Sequence, residues 1–121
     1  FPTRRSSDLM PVWQKAMEIA VECFFLSERL PRKEDYGLTS QLRRSAESIS
    51  ANIAEAFGRR SNKDKSRVYD ISRSEAFETK NHLIYGNKVQ YFTDEERQKL
   101  IQELDVVIYE LNKIINYLNR D

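Results

Sequence analysis

The chain has one cysteine, one histidine, three glycines and three prolines in 121 residues. With Cys23 alone no internal disulfide can form, and its neighbours Val21, Phe24 and Phe25 read it as a buried thiol acting as a small hydrophobe. With His82 alone, acid–base chemistry near neutrality loses its usual carrier. Glu78 and Glu75 lie four and seven residues before it, but a di-iron bundle needs Glu-x-x-His from two helices, and no Glu-x-x-His occurs. No nucleophile–base pair and no glycine-rich phosphate loop is visible, so no catalytic residue, metal site or cofactor is expected. No apolar run approaches the roughly 20 residues of a membrane span. A non-enzymatic protein of the reducing cytoplasm, with no membrane partner, is the expectation.

Charge of one sign is also lacking, since the formal net charge is +1. Its distribution is uneven. Residues 41–73 hold eight basic and four acidic side chains, whereas residues 94–121 hold four basic and seven acidic ones. Opposite local charges of this kind serve either contacts between subunits or a basic face turned toward a polyanion.

What is plentiful is helix-forming residues. Residues 1–9 have no helical period. They match the conceptual translation of a common sequencing-adapter end and are expected to be a non-native, unstructured leader. Residues 10–121 read as one domain with a single core. A first helix spans 10–29, with Pro11 in its first turn and Pro31 ending it. A second starts at Leu38 or Thr39 and ends at Gly58, whose freedom at positive φ suits a helix C-terminus. Its stripe is Leu38, Leu42, Ala46, Ile49, Ile53 and Phe57. Ser61-Asn62-Lys63-Asp64 resembles a capping box opening a third helix to about Tyr91, with a weaker stripe through Val68, Ser72, Ala76 and Leu83. Thr93-Asp94-Glu95-Glu96 is a cleaner box, followed by the strongest stripe, from Leu100 to Leu118. No strand-like alternation competes. Helices joined by short connections predict an all-α, antiparallel up-down-up-down four-helix bundle.

Several runs are more particular than a generic bundle requires. They are Val12-Trp13-Gln14-Lys15-Ala16, Tyr36-Gly37-Leu38-Thr39-Ser40-Gln41-Leu42-Arg43-Arg44, Ser48-Ile49-Ser50-Ala51-Asn52-Ile53-Ala54-Glu55, Gly58-Arg59-Arg60-Ser61 and Ser74-Glu75. Together they resemble the bacterial four helix bundle proteins, also called 23S rRNA intervening sequence proteins, from Leu9 to about Leu118. Ala56 stands where the family usually has glycine, and Ser50 where a proline is frequent; both changes straighten or tighten the second helix. The resemblance implies bundles that assemble into homo-oligomeric rings, with a homopentamer the expected form. It also implies no established reaction, and partners that include rRNA or other nucleic acid and a nucleic-acid-processing protein.

Two groups of residues are candidates for a role. Ser48, Asn52 and Glu55 sit on one helix; with Glu75 they read more simply as a buried structural network between the second and third helices than as a partner-binding constellation. Glu75 is expected to accept from Arg44 or Asn52. Arg43, Arg44, Arg59, Arg60, Lys63, Lys65 and Arg67 are the candidate nucleic-acid contacts. The last five concentrate charge at one end of the bundle, which ring symmetry would multiply into a basic rim. Tyr69 and Tyr36 are the aromatics available for stacking. The competing expectation is an oligomeric protein-interaction scaffold with no nucleic-acid role, its charges serving assembly.

Overall fold

The structure, a computed structural model, describes residues 10–120, and the expected leader at 1–9 lies outside the described residues. Helices α1 (Pro11–Ser27), α2 (Leu38–Gly58), α3 (Asn62–Lys88) and α4 (Asp94–Asn119) follow in order, with a single 3-10 turn, Arg32–Glu34, between α1 and α2. No strand occurs among the described residues. Each helix packs on its neighbours in sequence, and α1 also packs on α4, so the four form an up-down-up-down square. The α1–α4 side is the lightest of the four.

The apolar stripes meet on the bundle axis. Ala16, Ile19 and Cys23 of α1, Leu42, Ile49 and Ile53 of α2, Ala76 and Leu83 of α3, and Leu104, Val107 and Leu111 of α4 are all fully buried. Burial pushes the Cys23 thiol up to about 12, leaving it the inert small hydrophobe its neighbours suggested. Phe57, expected at the end of the α2 stripe, is partly exposed. α2 runs unbroken through Ser50 and Ala56, the two positions that depart from the resembled pattern.

The α2–α3 side is held by hydroxyls and small side chains. Ser72 Oγ donates to the Ile49 carbonyl at 2.8 Å, and Thr79 Oγ1 lies 2.9 Å from Ser45 Oγ and 2.8 Å from the Glu75 carbonyl. All three hydroxyl side chains are fully buried, and every one has a partner, so their desolvation is offset.

The helix ends explain the turns. Thr93 and Glu96 complete the reciprocal capping box, whereas Ser61 only accepts from the Asp64 N–H at 3.0 Å and the Asp64 carboxylate turns to arginines instead. Gly58 does not use a positive φ; the following Arg59 is extended at φ −75° and the chain simply leaves the helix. The left-handed residue is Gln90, at φ 72° after α3. There the Tyr91 N–H reaches the Gly86 carbonyl at 2.8 Å and the Gln90 N–H reaches Asn87 at 3.0 Å, the paired bonds of a Schellman ending. The Phe92 ring folds back over Gly86, so close that a Cβ there would lie 2.3 Å from Cε2.

Candidate nucleic-acid interface

Up-down topology places the α2–α3 connection, the start of α1 and the end of α4 at one end of the bundle. At that end Gly58, Arg59, Arg60, Ser61, Lys63, Asp64 and Arg67 line an open hollow of about 690 Å³. Four cations therefore face one carboxylate. The short connection forces this crowding, because α2 ends at Gly58 and α3 begins at Asn62.

Asp64 organises the hollow. Arg67 donates to its Oδ1 at 3.0 Å through Nη2 and 3.3 Å through Nε, and Arg59 Nη1 reaches Oδ2 at 3.2 Å. These guanidinium groups, Arg67 first, hold the Asp64 carboxyl below its ordinary range. Arg59 also pairs with Glu55 one turn back on α2. Arg60 and Lys63 are exposed and have no ion-pair or hydrogen-bond partner among the described residues. These two cations are the ones open to a ligand without first breaking an internal pair.

The other candidate cations are placed differently. Lys65 Nζ donates to the Phe57 carbonyl at 2.7 Å and contacts Ala56 at 3.4 Å, closing the exposed end of α2. Arg43 Nε donates to Ser27 Oγ at 2.7 Å, and its guanidinium lies 4.2 Å from the Phe24 ring centroid, a tie between α2 and α1. Arg44 reaches across to α3, pairing with Glu78 and, at 3.4 Å, with Glu75. The Arg44 hydrogen bond, with a smaller contribution from His82, holds the Glu78 carboxyl below its ordinary range. Arg43 and Arg44 thus hold helices together away from the corner.

The expected polar network is assembled only in part. Glu75 does accept from Arg44 across the α2–α3 side. Asn52 instead donates to the Ser48 carbonyl of its own helix at 2.8 Å. Glu55 is exposed; it lies two residues beyond the buried Ile53, about 200° around the helix and so on the opposite face. The buried polar seam is Ser45, Ser72 and Thr79. Their signal in the sequence was position rather than type, since each falls on a core stripe. Neither tyrosine serves the corner. Tyr69 is buried, and Tyr36 is almost fully exposed but separated from the corner by all 21 residues of α2, about 30 Å.

Among the described residues no cluster of three metal-ligating side chains occurs, and no helix is long and apolar enough to cross a membrane. Fold and site together define a small all-α bundle with a basic corner at one end. The chain belongs to the 23S rRNA-intervening sequence protein family, whose model matches residues 8–113. Among solved structures, it is similar to a protein of unknown function from the S23 ribosomal protein family of Bacteroides thetaiotaomicron. The two are 28% identical, with 86% of this chain and 97% of the other covered and a TM-score of 0.80. No protein of curated function matches the chain.

Proposed function

We propose that this is a non-enzymatic, homo-oligomeric bundle of the cytoplasm that binds the phosphate backbone of RNA or DNA through the α2–α3 corner. It would act as an accessory to a larger nucleic-acid-processing machine, with rRNA the ligand its family name suggests. A ring of copies, five by the resemblance drawn from the sequence, would repeat the corner around one rim. The observation that carries the reading is the pair Arg60 and Lys63, exposed in a cation-lined hollow and unpartnered among the described residues.

Binding of this kind reads charge and not sequence. Phosphate contacts position a nucleic acid but do not specify its bases, and neither candidate tyrosine stands at the corner to stack one. Each neutralised phosphate adds about −0.9 for B-DNA, or about −0.7 for a single strand, to the slope of log affinity against log salt. Two free cations per corner therefore contribute about −1.4 to −1.8, and simultaneous corners contribute more. Fluorescence anisotropy on mixed-sequence RNA, titrated from about 50 to 200 mM salt, tests this. The expected result is steep salt dependence that flattens in Arg60→Ala/Lys63→Ala. Absence of binding at low salt, or affinity unchanged in the double variant, overturns it.

A second reading, a protein-interaction scaffold with no nucleic-acid role, is favoured by one observation. Arg43, Arg44, Arg59, Lys65 and Arg67 are all engaged by groups of the chain itself. On that reading oligomerisation persists while the anisotropy assay stays flat.

A further inference from the structure

We propose that Asp64 holds the place of a ligand phosphate at the corner, and that Arg67 passes from its carboxylate to the nucleic acid on binding. This rests on the α2–α3 corner reading above and adds a third cation to its contacts. Without a ligand, Arg67 donates to Asp64 Oδ1 at 3.0 Å through Nη2 and 3.3 Å through Nε, and has no other partner among the described residues. Arg59 Nη1 reaches the second oxygen, Oδ2, at 3.2 Å. A carboxylate caught between two guanidinium groups presents two oxygens to their N–H donors, as a phosphodiester does with its two non-bridging oxygens.

Three observations make the Asp64 carboxylate replaceable. Its bonds to the arginines are longer than the roughly 2.7–2.9 Å of a well-formed charge-assisted pair. The pair is also open to solvent, with the Arg67 side chain 57% and that of Asp64 35% exposed. Ion pairs this exposed contribute little to a fold. Finally, both residues line the open hollow beside the unpartnered Arg60 and Lys63, so a phosphate drawn to those two arrives next to the pair.

The displaced carboxylate has somewhere to go. Asp64 stands three residues after Ser61, the cap of α3, where an acidic side chain can turn back to the N–H of the capping residue. That N–H has no partner among the described residues, because Ser61 only accepts: its hydroxyl from the Asp64 N–H and its carbonyl from the Lys65 N–H. Turning to it would complete at α3 the box that Thr93 and Glu96 form at α4, and would keep the charge at the positive end of the helix. Arg59 behaves differently, since Glu55 still ties it to α2 when Asp64 turns away. The cation released is Arg67.

Anisotropy on single-stranded RNA, with circular dichroism to verify folding, tests the exchange. Asp64→Asn frees Arg67 in advance. It is expected to steepen the salt slope by about 0.7, one single-strand phosphate, and so to bind on the order of fivefold tighter at about 0.1 M salt. In an Arg67→Ala background the same change is expected to give little gain, a non-additivity that ties the effect to the pair. Asp35→Asn, an equal charge change in the connection between α1 and α2, is expected to stay near wild type. Absence of binding in both the wild type and Asp64→Asn overturns the corner reading itself. A wild type that binds through Arg60 and Lys63, with Asp64→Asn equal or weaker, overturns the exchange alone. So does a gain that Asp35→Asn matches, or one that persists in full without Arg67.

Discussion

Ser45 shows how much one side chain decides in this bundle. It is fully buried where α2 meets α3, small enough to let the helices approach and polar enough to meet Thr79 at 2.9 Å. Ser45→Leu would add apolar volume, yet it is expected to destabilise by about 1–3 kcal/mol, because the inserted carbons push α2 off α3, even though the Thr79 hydroxyl keeps its bond to the Glu75 carbonyl. Urea unfolding measures this, and an unchanged midpoint would contradict the packing described. Gly86 is a second such position. Alanine is intrinsically the better helix residue by about 1 kcal/mol, but here its Cβ would strike the buried Phe92 ring. Gly86→Ala is therefore expected to lower stability, and a gain would show that the ring moves freely. The sequence marks Ser45 as small enough to let a neighbouring helix approach and Gly86 as part of the weak α3 stripe, but it does not show Thr79 or Phe92 opposite them. A 3.6-residue stripe says which face turns inward, but not what a serine or glycine on that face will meet. The same limit applied to the charged residues. Arg43 and Arg59 are alike in the sequence, and only the fold sets one against Phe24 and the other at the rim of an open hollow.

At the scale of elements, the periodic stripes and caps made most of the fold legible. α2 occupies the expected span, Leu38–Gly58, and α4 starts at the expected Thr93 box. Endings were less legible, because several residues can close a helix. A glycine was expected to supply positive φ at Gly58; the chain places that conformation at Gln90 instead. An L-residue with a β-carbon pays for φ > 0 where glycine does not. Gln90→Gly is accordingly expected to raise stability by about 0.5–1 kcal/mol, read as a higher urea midpoint at unchanged slope. A loss would mean that the Gln90 side chain has a stabilising role that outweighs its backbone strain.

For the whole molecule, charge pairs tie element to element. Arg29 after α1 grips Glu96 at the start of α4, and Arg44 on α2 grips Glu78 on α3. Both carboxyls are held below their ordinary range, Glu96 chiefly by the Arg29 hydrogen bond and Glu78 chiefly by that of Arg44. A carboxyl whose folded pKa is depressed contributes stability above its unfolded value, near 4.5 for glutamate. That contribution is lost as pH falls below 4.5 through the folded pKa. Unfolding free energy is thus expected to fall as pH drops below about 4.5, with a shallower fall in Glu96→Gln. A curve for Glu96→Gln parallel to that of the wild type would remove the Arg29 tie from the account. The same pairing logic isolates function. Most candidate cations are engaged within the chain, and the corner keeps Arg60 and Lys63 open.

The most direct measurement compares two variants that lose equal charge from opposite ends of the bundle. Arg60→Ala/Lys63→Ala removes the open pair at the corner. Arg32→Ala/Lys33→Ala removes two exposed cations from the connection between α1 and α2. In RNA anisotropy at matched salt, the corner variant is expected to lose affinity and about 1.4–1.8 units of salt slope, while the other stays near wild type. Equal losses in both would reduce the binding to net charge, and no loss in the corner variant would contradict the account.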